Sequence, residues 1–553
     1  MSRNRLRRIA LLLAAALAVV FPARAEDPSP AKPKLGENAN PPAAKPKVPF
    51  TISRETTYIV APLDKDGYPD YIAAINQHCR KGVTPENNSA VLFWRAMGPS
   101  EIFTQRRAEY FKQLGIDPLP EKGDYFVTSE QYAKRLNGAE RTPGQKAGES
   151  TGDAFLNALA KAAKRPWPKQ EFPQVAAWLE VNEKPLALLI EASKRPRRFD
   201  PLVGGKSGIL LSVMVPAFTA YREAGRGLAA RAMLRLNDGR VDDAWQDLLA
   251  CHRLARLVAE GPSLEDFFVG GTLENSAFSA EQGMLQQQRL STEQALKMRD
   301  DLDRLPAISR ISDSIDIGER YIYLDNVGHM ARGGARWLNQ FAQYSGFGAD
   351  SPEQKAYWKA VYDAAAAGPV DWDSILRLGN ASCDRVVDSM RKATRAERKA
   401  AGDEMDLRIR KNMAETQAIL RTGLGKSADQ RKVVSEALGH ILCGLFLSSG
   451  LRAAADVEDR GLMRFDLTKL AFALAAYRTD HQAYPAKLAD LAPKYIAQIP
   501  KDRFNDGDLH YSPQGGYLLY SVGPNGKDDG GKGIEDRKRG EPWDDIAIRI
   551  SKP

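Results

Sequence analysis

The sequence predicts a mainly α-helical protein, a multi-helix hairpin stack that ends in a small α+β domain. Between residues 217 and 305 apolar side chains recur at intervals of three and four, the period of one helix face. Turn residues, Asn237-Asp238-Gly239 and Gly261-Pro262-Ser263, cut that pattern into helices of ordinary length. After residue 453 the pattern changes to one long amphipathic helix followed by short runs of strand-forming residues.

From the start of the chain, residues 1–25 have the layout of a secretory signal peptide. Arg3, Arg5, Arg7 and Arg8 form a positive segment, Leu11 to Phe21 an uncharged apolar one, and Ala23-Arg24-Ala25 supplies small residues for cleavage before Glu26. The expectation is export, with the mature chain in the periplasm or outside the cell. The apolar run is short of the roughly 20 residues that a spanning helix needs. The best later run, Ile441 to Leu451, is also too short and holds Gly and Ser, so no integral membrane segment is expected after cleavage.

The formal charge of +9 is concentrated at the N-terminus: five of the 79 basic side chains and no acidic one lie in residues 1–25, leaving 74 against 70. A net +4 over the remainder of the chain makes no field that would steer a nucleic acid, and no nucleic-acid partner is expected. The basic clusters Lys194-Arg195-Pro196-Arg197-Arg198 and Arg391 to Lys399 read as solvated faces. Cys79, Cys251, Cys383 and Cys443 are too few to be a disulfide framework that replaces a core. An oxidising compartment permits a bridge or two among them without fixing the pairing, whereas Cys251 and Cys443 sit in apolar helical patterns and read as buried thiols.

Residues 26–49, rich in Pro, Ala and Lys, form a disordered linker by composition. A mostly helical N-terminal region spans 50–200, a central α-helical domain 201–452, and the α+β domain 453–553. In the first of these, Tyr71 to Cys79 has helical spacing, and Thr84-Pro85 reads as the cap and first residue of a helix whose apolar face is Ala90 to Met97. A polar loop follows at Asn137 to Gly152, then helical spacing at Ala154 to Ala163 and Val175 to Ser193. The central domain reads as helices over Ala217 to Leu236, from Asp242 onward, and on through Gln286, a hairpin of tetratricopeptide type with no second copy at a fixed period. Ser291 and Gln294 make a capping box for the next helix. More helices fill 310–435, with loops at Gly333-Gly334 and Gly346 to Pro352 and a charge-laced helix from Met390 to Ile419.

In the last region Leu462, Phe465, Leu467, Leu470, Leu474 and Tyr477 mark one helix stripe. Tyr484-Pro485, Ile499-Pro500-Lys501-Asp502-Arg503-Phe504, strands near Leu509 to Tyr511 and Tyr517 to Val522, and a Gly- and Asp-rich turn at 523–531 follow in order. This order resembles the soluble head domain of type II secretion major pseudopilins, over about the last 95 residues, with Arg503 where the family has Pro. The unbroken apolar half-helix that packs pilin subunits into a filament has no counterpart here, so the resemblance implies a pseudopilin-like head without a polymerising stem. In that family the Gly/Asp loop binds calcium. The resemblance therefore implies Asp528 and Asp529 as charged ligands, Asn525 and Ser521 as neutral ones and the Leu519 carbonyl as a backbone ligand, with an ordinary hairpin turn as the alternative.

Local catalytic motifs are missing from the sequence. No His-Glu-x-x-His or Gly-x-Ser-x-Gly occurs. The sequences Gly205-Lys206-Ser207 and Gly425-Lys426-Ser427 lack the first Gly of a phosphate loop. His78-Cys79 and Cys251-His252 are neighbours that point about 100° apart on a helix and so chelate one ion poorly. His252, seven residues after Trp245, reads as a core histidine, and Asp371 and Asp373 around Trp372 read as surface carboxylates. The functional expectation is an exported non-catalytic binding or scaffolding protein of the bacterial cell envelope, with envelope or secretion-system proteins as partners. The alternatives are an envelope structural element that needs no specific ligand, and an exported hydrolase with a dispersed active site. The hydrolase predicts a deep pocket within 50–450 that holds several convergent His, Asp or Glu.

Overall fold

Helical spacing in the sequence becomes helix along most of the chain, so the protein is mainly α-helical with a small antiparallel sheet near its C-terminus. The computed structural model describes residues 48–137, 150–204, 208–213, 218–345, 352–421, 430–445, 451–538 and 540–552. The segment read as a signal peptide, the linker up to residue 47, the polar loop at 138–149 and both Gly-Lys-Ser sequences lie outside the described residues.

The first helices are α1 (Tyr71–Cys79), α2 (Ser89–Met97), α3 (Arg107–Leu114), α4 (Ser129–Leu136), α5 (Thr151–Ala162), α6 (Pro173–Val181) and α7 (Glu183–Ser193). Then come α8 (Phe218–Asn237), α9 (Val241–Ala259), α10 (Leu264–Gln286) and α11 (Thr292–Asp303). A short helix at Ile311–Ser314 runs through a π-turn at Ile315–Glu319 into α12 (Arg320–Ser345). The last helices are α13 (Pro352–Ala367), α14 (Trp372–Met390), α15 (Arg395–Arg421), α16 (Gln430–Cys443) and α17 (Leu451–His481). Strands β1 (His510–Ser512), β2 (Gly516–Ser521) and β3 (Ile546–Ser551) form one antiparallel sheet with β2 in the middle.

Three local readings are corrected. The cap of α2 is Asn88, not Thr84: Asn88 Oδ1 accepts from the Ala90 and Phe199 amides, whereas Thr84 closes a turn with Asn87. The stretch from Val175 to Ser193 is two helices, broken at Asn182, whose buried side chain bonds both the N–H and the C=O of Val127. Gly334 does not end a helix with a loop; it is a non-helical residue (φ 54°, ψ −143°) inside α12. The capping box of Ser291 and Gln294 is present as read, and Gly239 ends the α8 segment in the left-handed region.

Two compact units share the chain by turns. The first holds the described residues of Met1–His78, Leu202–Val215 and Ile315–Ala453; the second holds those of Cys79–Pro201, Pro216–Ser314 and Ala454–Pro553. In the first unit α12 packs on α13 and α14, with Tyr323, Val327, Val361, Leu376 and Val386 buried between them. Gly379 on α14 faces the Tyr323 ring, leaving no room for a Cβ, and the Tyr323 hydroxyl donates to the Ile375 carbonyl at 3.0 Å. In the second unit α8, α9 and α10 pack as a three-helix layer around Leu228, Leu248, Leu254, Leu273 and Ala277, with α2 and α7 paired beside it. There β3 buries Ile546, Ile548 and Ile550 and turns Arg549 and Ser551 outward, the alternation expected of a sheet with one covered face.

Candidate functional site: an acidic cleft in the first unit

Residues 62–70 fold into a tight hairpin because Asp64-Lys65-Asp66-Gly67 is turn chemistry. The Asp64 amide donates to the Tyr68 carbonyl at 2.7 Å and the Asp70 amide to the Pro62 carbonyl at 2.9 Å, while Gly67 takes a left-handed φ of 87°. The Asp64 carboxylate accepts from the Asp66 and Tyr68 amides, both at 2.9 Å, which fixes its direction. Asp70 then begins α1, accepting from the Ala73 amide at 2.9 Å.

Opposite this hairpin, α12 presents Asp325, His329 and Arg332, at spacings of four and three that place them on one helix face. Arg332 pairs with Asp64 at 3.0 Å and with Asp66, and lies 4.3 Å from the Tyr68 ring centroid. Burial works against the charge on Asp64, yet the two amides and Arg332 hold its carboxyl below the usual carboxylate range. Asp325 accepts from the Leu210 amide at 2.8 Å, and His329 Nε2 stands 3.6 Å from its other oxygen. Burial pushes the Asp325 carboxyl up to about 6, helped by the charge of Asp70 and opposed by His329 and the amide.

Between hairpin and helix lies a cleft of about 410 Å³, walled by Phe50, Tyr68 and Tyr71 and floored by Asp70 and Asp325. Oriented carboxylates beside aromatic rings suit a small polar ligand that donates hydrogen bonds, and a carboxyl held near neutrality can exchange a proton. Among the described lining residues there is no Ser or Cys, and the Thr57 hydroxyl is buried and donates to the Ile59 carbonyl at 2.8 Å. None of these residues was singled out from the sequence. The Asp-Lys-Asp-Gly turn was visible there, but its partner helix lies 268 residues away.

The residues named for calcium do not share one set of contacts. Leu519 is in the middle strand, between Tyr511 and Ile548. Ser521 donates to Asp502 Oδ1 at 2.8 Å, and the buried Asp502 also accepts from the Val522 and Phe504 amides. Asp528 accepts from the Tyr520 hydroxyl at 3.0 Å and the Gly530 amide at 2.9 Å. Asn525 donates to Asp529 at 3.0 Å, and Asp529 also accepts from the Asp544 amide at 3.2 Å. Asp545, missed in the sequence as a site residue, accepts from the Asp529 and Gly531 amides with one oxygen, while its other oxygen is buried with no hydrogen-bond partner. Burial pushes the Asp545 carboxyl up to about 6, with Asp529 and Asp528 adding to the rise and the two amides opposing it. No group of three or more His, Cys, Asp or Glu stands ready around a metal position among the described residues.

The remaining sequence candidates are spent structurally. All four cysteines are free thiols. Arg198, read as solvated, is buried and pairs with Asp200 at 2.9 Å and Asp266 at 3.4 Å. Asp371 caps α14 through Ser374, and Asp373 accepts from both the amide and the hydroxyl of Thr51. No described helix is long and apolar enough to cross a membrane. No family model matches the chain, and no curated protein and no solved structure matches it either.

Proposed function

We propose that the protein is a non-catalytic binding protein of the bacterial cell envelope and that the acidic cleft of the first unit is its ligand site. The observation that carries this reading is the convergence of the 62–70 hairpin and the α12 face on one cleft, with Asp64, Asp70 and Asp325 each aimed by a backbone amide. Amide-held carboxylates are preorganised for a ligand and need no reordering to receive it. The envelope assignment rests on the Arg3 to Arg8 and Leu11 to Phe21 segments. The test is a thermal-shift screen of the full mature chain against small polar amines, sugars and amino acids. A hit whose shift disappears in Asp325→Asn and Arg332→Gln supports the reading, and a hit indifferent to both moves the ligand site elsewhere.

A second reading, an exported hydrolase, draws on the same cleft. Asp325, held near neutrality beside His329, is suited to passing a proton to and from water. Turnover of chromogenic esters, glycosides or phosphoesters that is lost in Asp325→Asn would decide for it over the receptor.

The C-terminal domain enters the proposal as a pseudopilin-like interaction module that takes calcium in its Gly/Asp loop and meets envelope or secretion-system proteins. Its support is the orphaned oxygen of Asp545, a carboxylate whose other oxygen accepts from the Asp529 amide; a buried unpartnered oxygen suits a hard cation that prefers oxygen ligands. A rise in the melting temperature of the full chain with calcium, reversed by chelator and absent in Asp529→Ala, is the expected result. Indifference to calcium leaves the loop as a plain turn.

A further inference from the structure

A second cavity in the first unit, of about 50 Å³, opens between α14, α15 and α16. Each helix offers one face, since Leu378, Ser382 and Arg385 on α14 and Met405, Arg408 and Asn412 on α15 are spaced by three and four. The lining combines apolar Leu378, Val386, Met405 and Ile409 with polar Arg385, Arg408, Asn412 and His440.

The carboxylates within electrostatic range of these groups are Asp384, beside Arg385, and Glu436, beside His440. Arg385 donates to the Ser382 hydroxyl at 3.0 Å, and neither Arg385 nor Arg408 forms an ion pair with a carboxylate among the described residues. Burial weakens the hold of Arg385 on its proton, and the charge of Arg408 weakens it further. The same two guanidinium groups, added to burial, lower the His440 pKa, against the pull of Glu436. His440 Nε2 stands 3.0 Å from the Asn412 amide nitrogen, an assignment in which Nε2 accepts. Two cations facing one cavity repel each other until an anion stands between them, and guanidinium groups match an oxyanion through parallel N–H donors.

We propose that this pocket binds the oxyanion head of a ligand with an apolar tail, the head on Arg385 and Arg408 and the tail along Met405 and Ile409. A cavity of about 50 Å³ holds a phosphate- or carboxylate-sized head and leaves the tail at the mouth. The oxyanion could come from free inorganic phosphate or from an organic anion, and the two are told apart by affinity. The proposal is independent of the acidic cleft, with which this pocket shares no lining residue.

The test is calorimetric titration of the full mature chain with phenyl phosphate and, separately, with inorganic phosphate. Phenyl phosphate should bind at least about tenfold more tightly, and Arg408→Gln should weaken it by about tenfold or more, the scale of one lost charge-assisted contact. Arg408 is exposed, so the variant should fold like the parent, which its melting temperature verifies. In NMR titrations the His440 pKa should rise on saturation with phenyl phosphate, a signature that places the anion in this pocket. Equal affinity for the two probes, binding unchanged by Arg408→Gln, no binding, or an unmoved His440 would each overturn the proposal.

Discussion

At the scale of single residues, His252 stands fully buried in the second unit with its Nδ1 against Glu274 and its Nε2 2.8 Å from Glu281. Both partners are carboxylates, so both ring nitrogens donate and the imidazole is a cation. Arg256 shares Glu274, which makes the cluster of two cations and two anions neutral. Burial alone would lower the His252 pKa, but Glu274 and Glu281 outweigh it and carry the value up to about 9. A folded value above the ordinary 6.5 means stabilisation that is complete below pH 6.5 and lost as pH rises through about 9. The shift corresponds to a ceiling of about 3 kcal/mol. Thermal unfolding between pH 6 and 10 should show this loss in the wild type and a flatter profile in His252→Gln, which should also be less stable by roughly 3 kcal/mol at pH 6.5 because it strands a buried carboxylate. Asp325 has the same sign of pH dependence, reached through the opposite charge state. Its carboxyl is also raised, but ionisation there costs stability, so the contribution present at low pH is lost as pH rises through about 6. Asp325→Asn should melt higher than the wild type at pH 8 and no higher at pH 4, as expected where a binding site is kept at the expense of the fold. The burial of His252 was legible from its place seven residues after Trp245. Its charge was not, because Glu274 and Glu281 belong to the next helix and nothing in α9 announces them.

At the scale of elements, the helices with strong period and clean punctuation were legible, and misreadings arose where a side chain reaches across the chain. Thr84-Pro85 has the form of a helix start, yet the start that forms is the one whose cap is tied down elsewhere. Asn88 is buried and closes a reciprocal pair with Phe199, accepting from its amide and donating to its carbonyl, both at 2.9 Å. Asn182 breaks a continuous apolar period for a similar reason, since it satisfies the backbone of Val127. Asn88→Ala should therefore cost about 2–3 kcal/mol, the loss of a cap together with a buried pair, while Thr84→Ala should change stability by about 0.5 kcal/mol or less. Denaturant midpoints of the two variants check this directly, and equal effects would return the cap to Thr84. The same cause hid the acidic cleft. The 62–70 hairpin and the α12 face lie far apart in the chain, and their meeting is a tertiary fact with no local trace.

At the scale of the whole molecule, the last hundred residues are woven into the second unit. Phe472 meets Trp245 edge-on at 5.6 Å, and Phe465 lies under Arg256, whose guanidinium carbon is 4.9 Å from the ring centroid. The Thr479 hydroxyl donates to the Leu290 carbonyl at 3.0 Å, the Thr292 hydroxyl donates to Asp480 at 2.6 Å, and the Ser551 backbone at the end of β3 exchanges hydrogen bonds with Gln286 and accepts one from Gln288. Two apolar residues of α17, Phe465 and Phe472, thus pack on α9. The fragment 453–553, when cut free, loses Trp245 from the edge of Phe472 and Arg256 from the face of Phe465. Apolar surface returned to water costs about 25 cal/mol per Å², and a sheet of three short strands is near the smallest that stands alone. The isolated fragment should accordingly show no cooperative thermal transition and should bind a hydrophobic dye. The same residues inside the full chain should unfold together with the His252 cluster, losing stability over the same alkaline range. A sharp transition in the fragment would instead make the C-terminal domain a separate folding unit and give the pseudopilin-like reading its strongest support.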